Sequence, residues 1–180
     1  AMDLAIEALT MGGADVDVVF LRDYPVNFCF NCRECMQNPG ADPGPCIQQD
    51  GMENLVQKIE QAEGYILAVP TNQGSVTALF KRFMERLAVY AFWPWGNAAP
   101  VYRKKAETRK KALVISSCAA PGIMGRWLYH SHKQVKMTAE VIGADVVGTL
   151  FTGLIAQNKT PVYPEKKHEK VKKTALKLLA

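Results

Sequence analysis

Four short apolar runs rich in β-branched residues, at positions 16–21, 65–70, 112–117 and 146–151, alternate with stretches whose apolar residues recur at helical spacing. Within each run apolar side chains fall on both sides of the pleat, so a strand there must be covered on both faces. The alternation predicts a doubly wound α/β fold with a mainly parallel sheet. Leu4, Ala5, Ala8, Leu9 and Met11 form the first helical stripe, which Gly12 and Gly13 stop. Asp50 is placed to cap a second helix, with Glu53 positioned to reach back to it, and Met52, Leu55, Val56, Ile59 and Ala62 form the buried face. Further helices are predicted over 78–90, over 127–142 with a stop at Gly143, and over 165–179. Residues 91–108, punctuated by Pro94, Gly96, Asn97 and Pro100, are expected to form an exposed excursion.

A doubly wound domain ordinarily begins with a strand, whereas this sequence opens on a helix. An N-terminal strand is therefore expected to be missing, and 16–21 is expected either to pair directly with 65–70 or to receive a strand from a second chain. At 180 residues the chain suits one domain. Its 48% hydrophobic and 22% charged composition excludes disordered and low-complexity readings. No apolar run approaches the ~18 residues of a membrane span, and the first residues lack the basic and apolar regions of a secretory signal, so no membrane association and a cytoplasmic location are expected. The net charge of +5 gathers in 103–111 and 166–173. Both runs lack interleaved aromatics and are predicted to be solvated, not to bind nucleic acid.

Cysteine spacing is the strongest chemical signal. Cys29, Cys32, Cys35 and Cys46 follow the first apolar run as C-x2-C-x2-C-x10-C. Three-residue intervals allow three sulfurs to converge, and the Gly/Pro-rich loop 39–45 can return the fourth. Soft thiolates favour an iron–sulfur cluster or zinc; simple packing of small buried side chains is the other reading. Cys118 stands apart at a strand end. His130 and His132 lie two apart and His168 sits among lysines, so all three are assigned packing or solvent roles. Hydrolase, kinase and dinucleotide-fold motifs are absent from the sequence.

A second signal is the passage from the apolar run at 65–70 through Thr71, Asn72, Gln73, Gly74 and Ser75 into a helix, repeated after the third run by Ser116, Ser117, Cys118, Ala119, Ala120, Pro121 and Gly122. In doubly wound sheets such loops line the ligand crevice. The segment from Cys29 to Arg86, with its cysteines, Asp50-Gly51-Met52, Ala78-Leu79-Phe80-Lys81 and Phe83-Met84-Glu85-Arg86, resembles NADPH-dependent FMN reductases, and within them the iron–sulfur flavoprotein branch. That resemblance implies a flavodoxin-like three-layer sandwich with strand order 2-1-3-4-5 minus its first strand. It also implies an FMN-dependent oxidoreductase that takes electrons from NAD(P)H and passes them to a small-molecule or protein acceptor. The flavin ring would lie over Pro70, Thr71, Asn72, Gln73, Gly74, Ser75 and Val76, beside Ser117, Cys118, Ala119 and Gly122. Backbone N–H groups near 72–75 would face the ring's pyrimidine edge, and the 103–111 surface would favour a nicotinamide phosphate. Cys29, Cys32, Cys35 and Cys46 would ligate a four-iron four-sulfur cluster, in a homodimer or homotetramer. The alternative is a non-catalytic assembly module of the same fold with structural or zinc-binding cysteines.

Overall fold

In the computed structural model residues 1–155 and 165–180 are described, the side chain of Lys166 excepted. Strands β1 (Gly64–Asn72), β2 (Ser75–Val76), β5 (Lys110–Ser117) and β6 (Ala144–Thr152) form one sheet in the order β2-β1-β5-β6. β5 pairs in parallel with β1 and with β6, and β2 joins antiparallel to the end of β1. The central strand explains the layering: Ala112 and Val114 point into one core and Leu113 and Ile115 into the other. Helices α2 (Gly51–Gln61), α3 (Ala78–Arg86) and α5 (Ser131–Val141) contribute to the first core, α1 (Met2–Met11) and α6 (Glu165–Ala175) to the second. The doubly wound architecture expected from the alternation, in the flavodoxin-like form that the resemblance implies, is the observed fold, and three of the four predicted strands lie inside β1, β5 and β6.

Segment 16–21 departs from expectation. Its backbone is irregular up to a 3₁₀ turn at Leu21–Asp23, and it pairs with neither β1 nor any other described strand. Val16 packs into the α1/α6 core, Val19 and Leu21 into the other, while Val18 and Phe20 are exposed. The β-branched residues thus report burial beside the sheet, which propensity alone does not distinguish from a ladder. Direct pairing of 16–21 with 65–70 is accordingly corrected.

The helix predicted over 127–142 is two helices, α4 (Gly122–Leu128) and α5, separated at Tyr129 and His130. Tyr129 is extended, and the His130 N–H is drawn to the carbonyl of Gly74 at 3.0 Å. A tertiary bond there replaces a helical one. The predicted 78–90 helix is α-helical to Arg86 and continues as a 3₁₀ turn over Leu87–Tyr90. Within 91–108, β3 (Ala91–Phe92) and β4 (Val101–Tyr102) form a small antiparallel ribbon. Among the described residues no helix is long and apolar enough to cross a membrane.

Candidate functional site

Register brings the strand carboxyl ends level, because Pro70 stands opposite Ser117 and Ser117 opposite Thr152. Beyond Pro70 the chain turns through Gln73 and Gly74, both at positive φ (49° and 77°), in the two-residue hairpin that joins β1 to β2. Helix α5 holds this hairpin in place. Thr71 Oγ1 meets Ser131 Oγ at 2.6 Å, Ser75 Oγ donates to Gln134 Oε1 at 2.8 Å, and the Val76 N–H donates to the same oxygen at 3.2 Å. Asn72 and Gln73 are left exposed at the tip. Next to it, the Cys118 N–H donates to Thr152 O and the Leu154 N–H to Ala120 O, tying the 118–122 loop to the end of β6. The Cys118 thiol is 1% exposed, points to Ala120 O and packs under Gly125, while Ser117 and Gly122 are half-buried and Ala119 is exposed. Gly122 and Gly153 approach backbone to backbone so closely that Gly153 has no room for a Cβ. Ile123 and Trp127 are exposed on α4, so this end of the sheet combines backbone loops with exposed apolar side chains.

The four cysteines are brought together at a second place. Left-handed backbone at Asn31 and Arg33 (φ 53° and 64°) bends the 29–35 run, and Cys29, Cys32, Cys35 and Cys46 then line one cavity of about 460 Å³ together with Phe30 and Ile47. Burial pushes the Cys35 thiol up to about 11, and the nearby Cys46, Cys29 and Cys32 push in the same direction. No three His, Cys, Asp or Glu side chains among the described residues close on a point that would hold a single metal ion. A zinc ion needs its thiolates about 2.3 Å from one centre, whereas a four-iron cluster spreads four cysteine ligands around a larger body. Four thiols lining a shared cavity are a soft donor set of the kind that takes an iron–sulfur cluster or zinc.

Two buried arginines brace the cysteine segment. Arg103, 5% exposed, donates from Nε to Val89 O, from Nη1 to Gly40 O and from Nη2 to Cys35 O, at 3.0, 3.2 and 3.0 Å. Gly44 completes the brace, its N–H bonded to Val89 O and its Cα packed against the Cys35 carbonyl. Arg86, 2% exposed, pairs with Asp50. Burial works against the Asp50 charge, yet donation from Arg86 and from the N–H groups of Asn27 and Met52 holds its carboxyl below the usual range. Asp50 does cap α2 through the Met52 N–H, as its position predicted, but its other partners are distant in sequence. Arg33, between the second and third cysteines, lies between the rings of Trp93 and Trp95 at 3.7 and 4.2 Å, which docks the 91–102 ribbon on the cysteine segment.

Sequence reasoning missed these arginines. Arg86 carried a readable signal, since it follows Phe83 by three residues on the apolar face of α3. Arg103 carried none, because it heads a basic run. Its burial removes it from any phosphate-binding surface, and Arg109 of the same run is occupied by Asp145 and Ala144 O. His132 is buried against Phe151, while His130 is exposed.

Comparison with known proteins matches residues 1–152 to the family described as NADPH-dependent FMN reductase. An iron–sulfur flavoprotein of Archaeoglobus fulgidus is 30% identical over 106 residues, 56% of this chain and 46% of that protein. Another, from Methanocaldococcus jannaschii, is 31% identical over 86 residues, 48% of this chain and 41% of that one. The chain therefore spans less than half the length of these curated relatives. Among solved structures, an FMN-dependent NADH-azoreductase from Bacillus anthracis in complex with FMN superposes with a TM-score of 0.65 at 14% identity, covering 99% of this chain and 90% of that one. That likeness bears on the fold.

Proposed function

The chain belongs to the NADPH-dependent FMN reductase family, and from that membership we propose that it forms part of an FMN-dependent oxidoreductase fed by NAD(P)H, with a second redox group on its cysteines. The observation that carries the proposal is the pairing of two sites on one fold: a backbone-lined rim at the carboxyl ends of β1, β5 and β6, and four cysteines around a separate cavity.

Bound FMN would supply hydride acceptance and electron release at the rim. The chain's part is placement: the β1–β2 hairpin is anchored by three hydrogen bonds to α5 and by one from His130 just before it, which keeps its tip fixed. Pro70, Thr71, Asn72, Gln73, Gly74, Ser75 and Val76 would form one wall and Ser117, Ala119 and Gly122 the other. The Val76 N–H is already committed to Gln134, which leaves Asn72 to Gly74 as the donors nearest the exposed tip. Cys118 would support the wall from beneath, through its backbone. An iron–sulfur cluster would supply one-electron transfer, with Cys29, Cys32, Cys35 and Cys46 as its ligands. The acceptor would be a small molecule or a redox protein, and a homodimer or homotetramer would bring the two groups into range of each other.

Anaerobic purification followed by FMN titration, assay of NADH and NADPH oxidation, and iron and sulfide analysis tests this. Flavin uptake with nicotinamide oxidation and stoichiometric iron supports it. A folded protein that takes up neither flavin nor iron would instead be an assembly module in which the cysteines only pack.

A further inference from the structure

Arg86 makes one bond more than a buried ion pair requires. Its Nη1 donates to Asp50 Oδ2 at 2.6 Å and to Asn27 O at 3.0 Å, and its Nη2 donates to Asp50 Oδ1 at 3.1 Å. Those contacts satisfy the charge. Nη2 also reaches Cys46 Sγ at 3.5 Å, so a buried cation is aimed at one of the four sulfurs that line the cavity. Asp50 fixes that aim: its carboxylate takes the guanidinium as a two-pronged fork and is itself held by the N–H groups of Asn27 and Met52. A lysine could neutralise Asp50, but its ammonium is a point charge on a flexible stem and lacks the planar fork that fixes one N–H toward sulfur.

Resting on the reading that the four cysteines carry an iron–sulfur cluster, we propose that Arg86, oriented by Asp50, is a positioning residue that donates to the Cys46 thiolate and thereby sets the cluster's reduction potential. Reduction of a [4Fe–4S]²⁺ cluster by one electron to [4Fe–4S]⁺ places one more negative charge on the iron, sulfide and thiolate shell. An N–H donor and a cation at that shell stabilise the reduced form more than the oxidised one, and a carboxylate beside it does the opposite. Asp50 acts on the potential in two opposed ways, through its own charge and through the donor it aims, so Arg86 is the residue whose replacement has one expected sign.

The test uses Arg86→Lys and Arg86→Gln, with Arg103→Lys as a control that loosens the same loop without touching sulfur. Each protein is reconstituted anaerobically with iron and sulfide, analysed for both, checked for folding by circular dichroism and titrated with dithionite while the reduced cluster is followed by electron paramagnetic resonance. The expected result is a midpoint potential shifted negative in Arg86→Gln, less so in Arg86→Lys, and unmoved in Arg103→Lys. Should Arg86→Gln fail to fold, the negative shift of Arg86→Lys against an unmoved Arg103→Lys carries the same distinction. Loaded clusters with unchanged potentials, or equal shifts in Arg86→Lys and Arg103→Lys, overturn the role of Arg86 and leave the cluster reading intact. A wild-type protein that takes up no iron or sulfide overturns the cluster reading itself.

Discussion

Arg103 shows how a residue in a basic run becomes internal structure. Its guanidinium answers three carbonyls around the loop between Cys35 and Cys46, those of Cys35, Gly40 and Val89, the last of which also accepts from the Gly44 N–H. Hydrogen bonds from a charged group, with unsatisfied acceptors left behind on removal, put the cost of Arg103→Met at about 2–4 kcal/mol. Urea denaturation should show that loss, and limited proteolysis should cut first within 36–45; an unchanged midpoint and cleavage pattern would contradict the brace. His132 supports a prediction in pH. Burial foremost, then the charges of Arg126, Lys133 and Lys136, lowers its folded-state pKa below the ordinary 6.5. As pH falls through 6.5 the unfolded chain takes up this proton before the folded one, so stability declines on the acid side. His132→Phe, which keeps an aromatic contact with Phe151, should flatten the stability profile between pH 7 and 5 in paired urea titrations. Equal slopes in both proteins would show that other groups dominate there. At this scale the cysteines were legible because metal-ligand spacing is local. Arg103 was not, since a guanidinium's five donors can be met by carbonyls far away in sequence, and composition records only the charge.

The β1–β2 hairpin is the element on which the rim proposed to hold flavin depends. Gln73 occupies a left-handed position that costs an ordinary L-residue roughly 1 kcal/mol, while Asn tolerates it better and Asn-Gly is the preferred pair for a two-residue turn of this kind. Gln73→Asn is thus expected to stabilise the protein by about 0.5 kcal/mol, and Gly74→Val to destabilise it by more than that, because Gly74 sits at φ 77°. Thermal unfolding of the two variants against wild type checks both signs. The hairpin also explains which elements were readable. Buried runs at 65–70, 112–117 and 146–151 carry their own evidence, apolar residues on both faces. The interruption between α4 and α5 carries none, for it arises from the Gly74 carbonyl accepting the His130 N–H, a partner about sixty residues away. Likewise nothing local in the polar loop after Pro70 announces that it closes as a hairpin, with Thr71 and Asn72 opposite Val76 and Ser75.

Across the whole molecule, pairing and burial do not coincide, and that separation predicts a gradient of local stability. β5 is paired on both edges and its residues Ala112, Leu113 and Val114 are fully buried. β1 is paired with β5 along its length, but among the described residues its other edge is bonded only at Thr71 and Asn72. Segment 16–21 half-buries Val16, Val19 and Leu21 without joining a ladder, and a Lys58–Asp17 ion pair between exposed side chains holds it to α2; such pairs contribute at most about 1 kcal/mol. Amide exchange follows hydrogen bonding and local opening, not side-chain burial as such. Exchange should therefore be slowest along 112–116, intermediate in β1, where N–H groups directed to the open edge exchange ahead of those bonded to β5, and fast over 16–20 despite a sequence as rich in valine as any strand of the sheet. Peptide-resolved deuterium uptake on the isolated chain tests the order. Protection of 16–20 equal to that of β5 would mean that this segment does pair, either with β1 or with a strand supplied by another polypeptide. Rerunning the exchange over a range of protein concentrations separates those two cases, because only protection drawn from a second chain rises with concentration.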